Sequence, residues 1–167
     1  MKKVVIGFLG TVLDRRGKDK RWESWRPSVA VCQHEDLLVD RFHLLCSRRD
    51  DSLAQQVRAD IEMISPETEV LIEYLEFKNP WDFEEVFSAL LSYSQNYRFR
   101  EDEEYLMHIT TGTHVSQICV FLLTEAGFFP ARLLQTGPGR HNQPPGSYEV
   151  IDLDLSRYDS IARRFAI

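Results

Sequence analysis

Short runs of apolar, often β-branched residues recur along the chain and are followed by polar or glycine-containing turns. Runs of this length, without strict polar alternation, are typical of strands buried on both faces of a parallel sheet. They predict six strands, at residues 3–9, 39–46, 69–77, 105–110, 131–135 and 148–153.

Between these runs, apolar residues return every three or four positions, as they do on one face of a helix. Leu53, Val57 and Ile61 form one such stripe, which Ser65-Pro66 closes. The pattern predicts helices at residues 27–32, 52–63, 79–97 and 115–126, and Ser156 could cap a final one. Strands that alternate with helices predict an α/β three-layer sandwich with a mostly parallel sheet of about six strands.

Composition restricts the class of protein further. A chain of 167 residues with 43% hydrophobic and 28% charged residues predicts one globular domain with a real core. The net charge of −6 argues against a broad basic face that coats nucleic acid. Three cysteines without framework spacing, and no apolar run approaching the roughly 20 residues of a membrane span, predict a cytoplasmic protein with no membrane partner.

Two unusual turns follow the first and fourth predicted strands. The first turn is Gly7-Phe8-Leu9-Gly10-Thr11, and the second is Thr110-Thr111-Gly112-Thr113-His114. In a sheet with the central order 3-2-1-4-5, these strands flank the point where the order reverses, which is where ligands bind. Glycine, hydroxyls and a helix N-terminus favour an anion there. Alternatively, Gly112 only turns the chain and Thr113 only caps the helix.

A basic loop lies between the first strand and the first helix. It carries Arg21, Trp22 and Arg26 among further lysines, arginines and a second tryptophan. Guanidinium groups bind phosphates and indoles stack on bases, so the loop suggests a nucleotide or RNA ligand. The alternative is a solvated loop whose tryptophans pack against the core.

Other kinds of site are weakly supported. No lysine follows either glycine turn as in a nucleoside-triphosphate P-loop, and neither turn is a dinucleotide fingerprint. The spacing of Cys32, His34, His43 and Cys46 matches no ordinary zinc site, so we expect no metal and no cofactor. His114 beside Thr113 or Ser116 lacks a carboxylate placed to orient it, so we expect no catalytic residue.

Four segments carry a family resemblance: residues 6–14, 21–27, 32–40 and 108–118. They resemble the N-terminal domain of the RtcR family, sigma-54-dependent activators of the operon for RNA ligase and RNA cyclase. This domain belongs to the CARF group of Rossmann-like sensors, which dimerise and bind cyclic or linear oligoadenylates or related RNA ends. The turn at 110–114 resembles the threonine-glycine motif of this group, although His114 stands where many members have lysine.

The resemblance implies a non-enzymatic sensor of RNA with a 2′,3′-cyclic phosphate end, or of oligoadenylate, that acts as a homodimer. The alternatives are a metal-independent ring nuclease and a dimerisation module without a ligand. Residues 1–155 are then the sensor and 156–167 the start of a linker helix toward an absent AAA+ domain, with DNA contacted only through an absent C-terminal domain. The candidate ligand-binding residues are Phe8, Gly10, Thr11, Arg21, Trp22, Arg26, Thr111, Gly112, Thr113, His114 and Gln117.

Overall fold

The computed structural model describes residues 1–153, and six strands in this range form one sheet. The strands are β1 (Lys2–Phe8), β2 (Arg41–Cys46), β3 (Glu69–Tyr74), β4 (Glu103–His108), β5 (Ala131–Gly137) and β6 (Ser147–Ile151). Their order is β3-β2-β1-β4-β5-β6. The first five are parallel, and β6 pairs antiparallel with β5 at the edge of the sheet.

Four α-helices connect these strands: α1 (Pro27–Ala30), α2 (Asp51–Ile64), α3 (Phe83–Asn96) and α4 (His114–Glu125). The predicted polar loop before Pro27 contains two 3₁₀ segments, at Leu13–Arg15 and Lys18–Glu23. The helix predicted for residues 27–32 is α-helical only to Ala30 and continues as a 3₁₀ turn at Val31–Gln33.

Helices cover both faces of the sheet, and alternate residues of β1 point to opposite layers. Val5 belongs to the apolar cluster that contains Val57 of α2. Ile6 belongs to the second cluster, with Leu90 of α3 and Leu123 of α4. The predicted α/β three-layer sandwich with a mostly parallel sheet is therefore confirmed.

The strand order reverses between β1 and β4, as the sequence predicted. Gly7 lies opposite His108 in this pair, and a Cβ at Gly7 would lie 2.8 Å from the Cβ of His108. A glycine in β1 therefore makes room for the buried imidazole in β4. The turns that follow the two strands emerge side by side at the carboxyl edge of the sheet.

Two further expectations concern the last predicted helix and membrane-spanning segments. The helix predicted to begin at Ser156 lies outside the described residues. Among residues 1–153, every helix is too short or too polar to cross a lipid bilayer.

Candidate functional site

A cavity of about 730 Å³ opens at the carboxyl edge of the sheet. The chain segments after β1, β2, β3 and β4 all contribute to its wall. The predicted residues Phe8, Gly10, Thr11, Thr111, Gly112 and Thr113 line it. The switch point of the sheet thus coincides with this cavity.

The turn after β4 is held by α4. Gly112 has a φ of +85°, in the left-handed region that glycine adopts without steric cost. The side-chain amide of Gln117 donates toward the carbonyl oxygens of Thr110, Thr111 and Gly112, at 3.2, 3.4 and 3.3 Å. Gln117 was predicted to bind ligand; its amide instead contacts the backbone of the turn in the structure, and a contact with a ligand stays a prediction.

Thr113 and Thr111 have different surroundings in this turn. The Oγ1 atom of Thr113 accepts the N–H of Ser116 at 3.1 Å and so caps α4, the role considered as the alternative for this residue. Thr111 is only 5% exposed, and its Oγ1 has no hydrogen-bond partner among residues 1–153. Thr111 is a residue of the cavity wall, and a buried hydroxyl left without a partner there is suited to bind a polar ligand atom that reaches it.

Thr110 also lines the cavity, but its hydroxyl is hydrogen-bonded to the backbone of β5. Its hydroxyl donates to the carbonyl oxygen of Thr136 at 3.1 Å and accepts the N–H of the same residue at 2.8 Å. Nearby, Nε2 of His108 lies 2.8 Å from Oγ1 of Thr136. Burial lowers the pKa of His108 to about 4, so this imidazole is neutral near pH 7 and belongs to the core.

The turn after β1 is shaped by Asp14, a residue only 2% exposed. Its Oδ2 accepts the N–H of Gly10 at 2.7 Å and the hydroxyl of Ser28 at 2.6 Å, and its Oδ1 accepts the N–H of Ser28 at 2.9 Å. Burial raises the pKa of this carboxyl, against the lowering effect of these hydrogen bonds. Gly10 lines the cavity, but its amide is bound to Asp14 rather than free for an anion.

Basic side chains at the cavity wall were missed by the sequence analysis. Arg48 and Arg49 follow β2, and Lys78 follows β3. The guanidinium of Arg48 lies 4.3 Å from the centre of the Tyr74 ring. The sequence signal was available, because these residues follow β2 and β3, the two strands on one side of β1, but only the turns after strands one and four were considered.

Two acidic residues at the wall, Asp50 and Glu76, partly balance this charge. The Oε1 of Glu76 accepts the N–H of Arg48 at 2.6 Å, and its Oε2 accepts the hydroxyl of Ser47 at 2.9 Å. These hydrogen bonds, the one from the Arg48 backbone first, lower the pKa of Glu76. Its carboxylate therefore holds the segment after β2 in place.

Arg21, Trp22 and Arg26 lie outside the wall of this cavity, so the structure does not bring them together with the threonine-glycine turn, and their contact with a ligand stays a prediction. The Oδ2 atom of Asp60 in α2 accepts Nε of Arg21 at 2.8 Å and Nη1 of Arg26 at 2.7 Å. Both guanidinium groups lie beside the ring of Trp22, at 5.7 and 5.0 Å from its centre. Trp22 packs partly against the core, as the alternative for the loop proposed.

His114 is exposed at the start of α4, outside the cavity wall. Its ring centre lies 5.1 Å from that of Trp81, a cavity residue with 59% of its surface exposed.

The two cysteines and two histidines considered above as metal ligands do not form a cluster. Residues 1–153 hold no group of three or more potential metal ligands.

Sequence comparison places the chain within a family. Residues 1–167 match the family model described as RtcR, regulator of RNA terminal phosphate cyclase. The chain is 52% identical over 170 residues to the transcriptional regulatory protein RtcR of Escherichia coli strain K12. The match covers 99% of this chain and 32% of the relative, so the chain spans about a third of that protein's length.

Solved structures share the fold at low sequence identity. Csm6 of Enterococcus italicus, bound to cyclic hexa-2′-fluoro-hexa-dAMP, aligns with a TM-score of 0.65 and 17% identity over 98% of this chain and 44% of its own. Can2 of Sulfobacillus thermosulfidooxidans, in complex with cyclic tetra-adenylate, aligns with a TM-score of 0.56 and 14% identity over 93% and 40%. The fold is of the CARF type, as predicted. With its whole length matching the family model and a 52% identical relative, the chain belongs to the RtcR family of regulators of RNA terminal phosphate cyclase.

Proposed function

We propose that this domain is the ligand-sensing part of a sigma-54-dependent activator, and that its cavity binds the phosphate-bearing end of an oligonucleotide without cleaving it. The ligand is RNA with a 2′,3′-cyclic phosphate end or an oligoadenylate, and its binding controls an attached AAA+ ATPase. The unpartnered hydroxyl of the buried Thr111, in the wall of the cavity, is the observation that carries this proposal.

The size and charge of the cavity support an oligonucleotide end. A volume of about 730 Å³ lies within the roughly 300–1,000 Å³ of small-ligand sites. Arg48, Arg49 and Lys78 offer donors to phosphate oxygens, while the exposed ring of Trp81 offers a surface for base stacking. Because the cavity is open to solvent beside Trp81, the rest of a longer ligand can continue outside it.

The relatives support the same class of ligand from two directions. Csm6 and Can2 were solved with cyclic oligonucleotides, which favours an oligoadenylate. The family regulates RNA terminal phosphate cyclase, which favours an RNA end. The two candidates share phosphate chemistry and differ in their ends, so a binding assay can separate them.

The binding experiment uses fluorescence anisotropy with matched probes. An oligoribonucleotide ending in a 2′,3′-cyclic phosphate is compared with the same sequence ending in a 3′-hydroxyl, and unlabelled cyclic tetra- and hexa-adenylate serve as competitors. We expect the cyclic phosphate end to bind at least about tenfold more tightly than the hydroxyl end, the difference expected for one charge-assisted hydrogen bond. Equal, weak binding of all probes would contradict the proposal.

Two threonines provide a matched pair of variants for this assay. Thr111 and Thr124 are both buried, and both have a hydroxyl without a partner among residues 1–153, but Thr124 lies outside the cavity wall. Thr111→Val should weaken ligand binding by about tenfold or more, whereas Thr124→Val should leave it unchanged. Equal effects of the two substitutions would remove the cavity assignment.

A cleavage assay separates the sensor from the ring nuclease. In the structure His114 packs against Trp81, and the carboxylate of Glu76 is held by Ser47 and Arg48. We therefore expect labelled cyclic tetra- and hexa-adenylate to remain intact during prolonged incubation with the domain. Linear products that appear with the wild-type domain and not with Thr111→Val would establish the nuclease instead.

An apolar face of α4 supports the homodimer. Ile118, Phe121 and Leu122 are exposed by 48%, 36% and 39%, and their spacing places them on one side of the helix. Since α4 starts at the cavity, a dimer through this face brings two cavities together.

Ile118→Glu should convert the dimer to a monomer in sedimentation velocity, whereas Met63→Glu, at an exposed apolar residue of α2, should not.

A further inference from the structure

A second, smaller cleft of about 320 Å³ lies between the loop after β1 and the first turns of α2. Its wall includes five basic side chains, those of Arg15, Arg16, Lys18, Arg21 and Arg26. Two acidic residues, Asp14 and Asp19, also contribute to it. The cleft is therefore strongly positive in a protein whose formal net charge is −6.

Arg26 forms the floor of this cleft and is only 2% exposed. Its Nη1 donates to Asp60 at 2.7 Å, but its Nε and Nη2 have no hydrogen-bond partner among residues 1–153. These two nitrogens form one edge of the guanidinium, the edge that binds an oxyanion through two parallel hydrogen bonds. Charged donors that are buried without acceptors raise the free energy of the folded state. The floor of the cleft therefore lacks an anionic partner that would satisfy them.

The acidic residues of the cleft do not supply that partner. The Asp14 carboxyl already accepts three hydrogen bonds, from Gly10 and Ser28, and burial raises its pKa. Asp19 is exposed on the 3₁₀ segment at the rim. Asp60 occupies the other side of the Arg26 guanidinium and also binds Arg21.

We propose that this cleft is a second anion site that binds a phosphate group, with Arg26 at its floor and Arg16 and Arg21 at its rim. Two oxygens of a tetrahedral phosphate can accept the two parallel N–H groups on the free edge of Arg26, and the remaining basic side chains of the cleft neutralise the second negative charge of the phosphate. This site is separate from the cavity that contains Thr111, so it does not depend on the ligand of that cavity.

The phosphate has two possible sources, a free phosphate ion or the backbone of an oligonucleotide that extends from the main cavity. The two sites share a wall. Leu13 and Asp50 line the main cavity, whereas Asp14 and Ser52, one and two residues further along the chain, line the second cleft. Arg15 of the second cleft lies 3.7 Å from Asp50 of the main cavity. A continuous ligand could therefore reach both sites.

The test follows the Nε–H resonance of Arg26 by nuclear magnetic resonance during a titration with inorganic phosphate. We expect this resonance to shift with saturation, and Arg16→Gln to weaken the apparent affinity by about tenfold. Arg98→Gln, at an exposed arginine beyond α3, is the matched control and should have no effect. No shift of Arg26 at any phosphate concentration, or equal effects of both substitutions, would overturn the proposal.

A second arm identifies the source of the phosphate and separates this proposal from that of the main cavity. A dinucleotide and a hexanucleotide with the same 2′,3′-cyclic phosphate end are titrated in place of phosphate. If the oligonucleotide backbone occupies the cleft, only the hexanucleotide shifts the Arg26 resonance. Arg16→Gln then weakens binding of the hexanucleotide but not of the dinucleotide. If free phosphate is the ligand, neither RNA shifts the Arg26 resonance.

Thr111→Val should leave the phosphate titration unchanged. Loss of the shift of the Arg26 resonance in that variant would assign the ion to the main cavity and overturn the second site.

Discussion

At the scale of single residues, the unpartnered hydroxyl of Thr111 represents a conflict between stability and binding. A buried hydroxyl without a partner destabilises the folded state by about 1–3 kcal/mol relative to an apolar group of the same shape. The side chain of valine has nearly the same shape as that of threonine. The ligand-free domain thus contains a residue that is unfavourable for folding and suited to recognition.

We predict that Thr111→Val increases the free energy of unfolding of the ligand-free domain by about 1 kcal/mol. Thr124→Val should have a similar effect, because its hydroxyl is equally buried and unpartnered among residues 1–153. Urea denaturation measures both. A loss of stability in Thr111→Val alone would show that its hydroxyl is hydrogen-bonded, for example to an ordered water.

The left-handed glycines allow a second matched comparison. Gly112 and Gly127 both have a φ of +85°, but a Cβ at Gly112 would lie 3.3 Å from the Cβ of Phe8, whereas nothing lies within 4 Å of one at Gly127. Alanine at either position should cost about 1–2 kcal/mol of backbone strain. Only Gly112→Ala should also weaken ligand binding, measured by anisotropy; equal binding losses would contradict the role of this turn.

At the scale of elements, helix α4 supports the cavity through Gln117, whose amide contacts three carbonyl oxygens of the turn before the helix. We predict that Gln117→Met, which keeps the length of the side chain, weakens ligand binding several-fold while reducing the free energy of unfolding by about 1 kcal/mol. Gln95→Met, at an exposed position of α3, is the control. Unchanged ligand affinity in Gln117→Met would mean that the turn keeps its shape without this support.

Most elements were predictable because their signals are local. The stripe of Leu53, Val57 and Ile61 identifies α2, and the prediction agrees with the observed helix within one residue at each end. The third strand was predicted to Phe77 but ends at Tyr74, since Leu75 and Phe77 pack against the core from a loop. Apolar character reports burial, which a strand and a packed loop share.

The candidate site was only partly predictable. The two glycine turns could be placed at the switch point, because the topology of parallel sheets follows from the order of strands and helices. The basic loop could not be placed, since its position depends on Asp60, 39 residues after Arg21 and 34 after Arg26. Ion pairs at such separations leave no local pattern, so the second cleft is a result of tertiary structure.

At the scale of the whole molecule, the buried His108, which lies against Gly7 of β1 and contacts Thr136 of β5, makes the stability of the domain depend on pH. Its ordinary pKa of about 6.5 applies in the unfolded chain, whereas burial lowers the folded value to about 4. Between these values the unfolded chain binds a proton that the folded domain does not, so stability is full above the upper value and is lost as the pH falls toward the lower one. The loss amounts to at most roughly 3 kcal/mol.

We predict that His108→Gln removes this part of the pH dependence, even if it lowers stability at neutral pH. The slope of the free energy of unfolding against pH, from urea denaturation in the window between about pH 6.5 and pH 4, should be smaller than in the wild type. His141→Gln, at an exposed position of the loop before β6, should keep the wild-type slope. An unchanged slope in His108→Gln would assign the acid sensitivity to other groups.

The buried Asp14 has a consequence for the thermodynamics of recognition. By binding the Gly10 amide and Ser28, it fixes the turn after β1 before any ligand arrives. The entropy of ordering that turn is therefore lost during folding rather than during binding, which raises affinity without adding a contact to the ligand. Asp14→Asn would return this ordering to the binding step, and calorimetry should register it as a less favourable binding entropy.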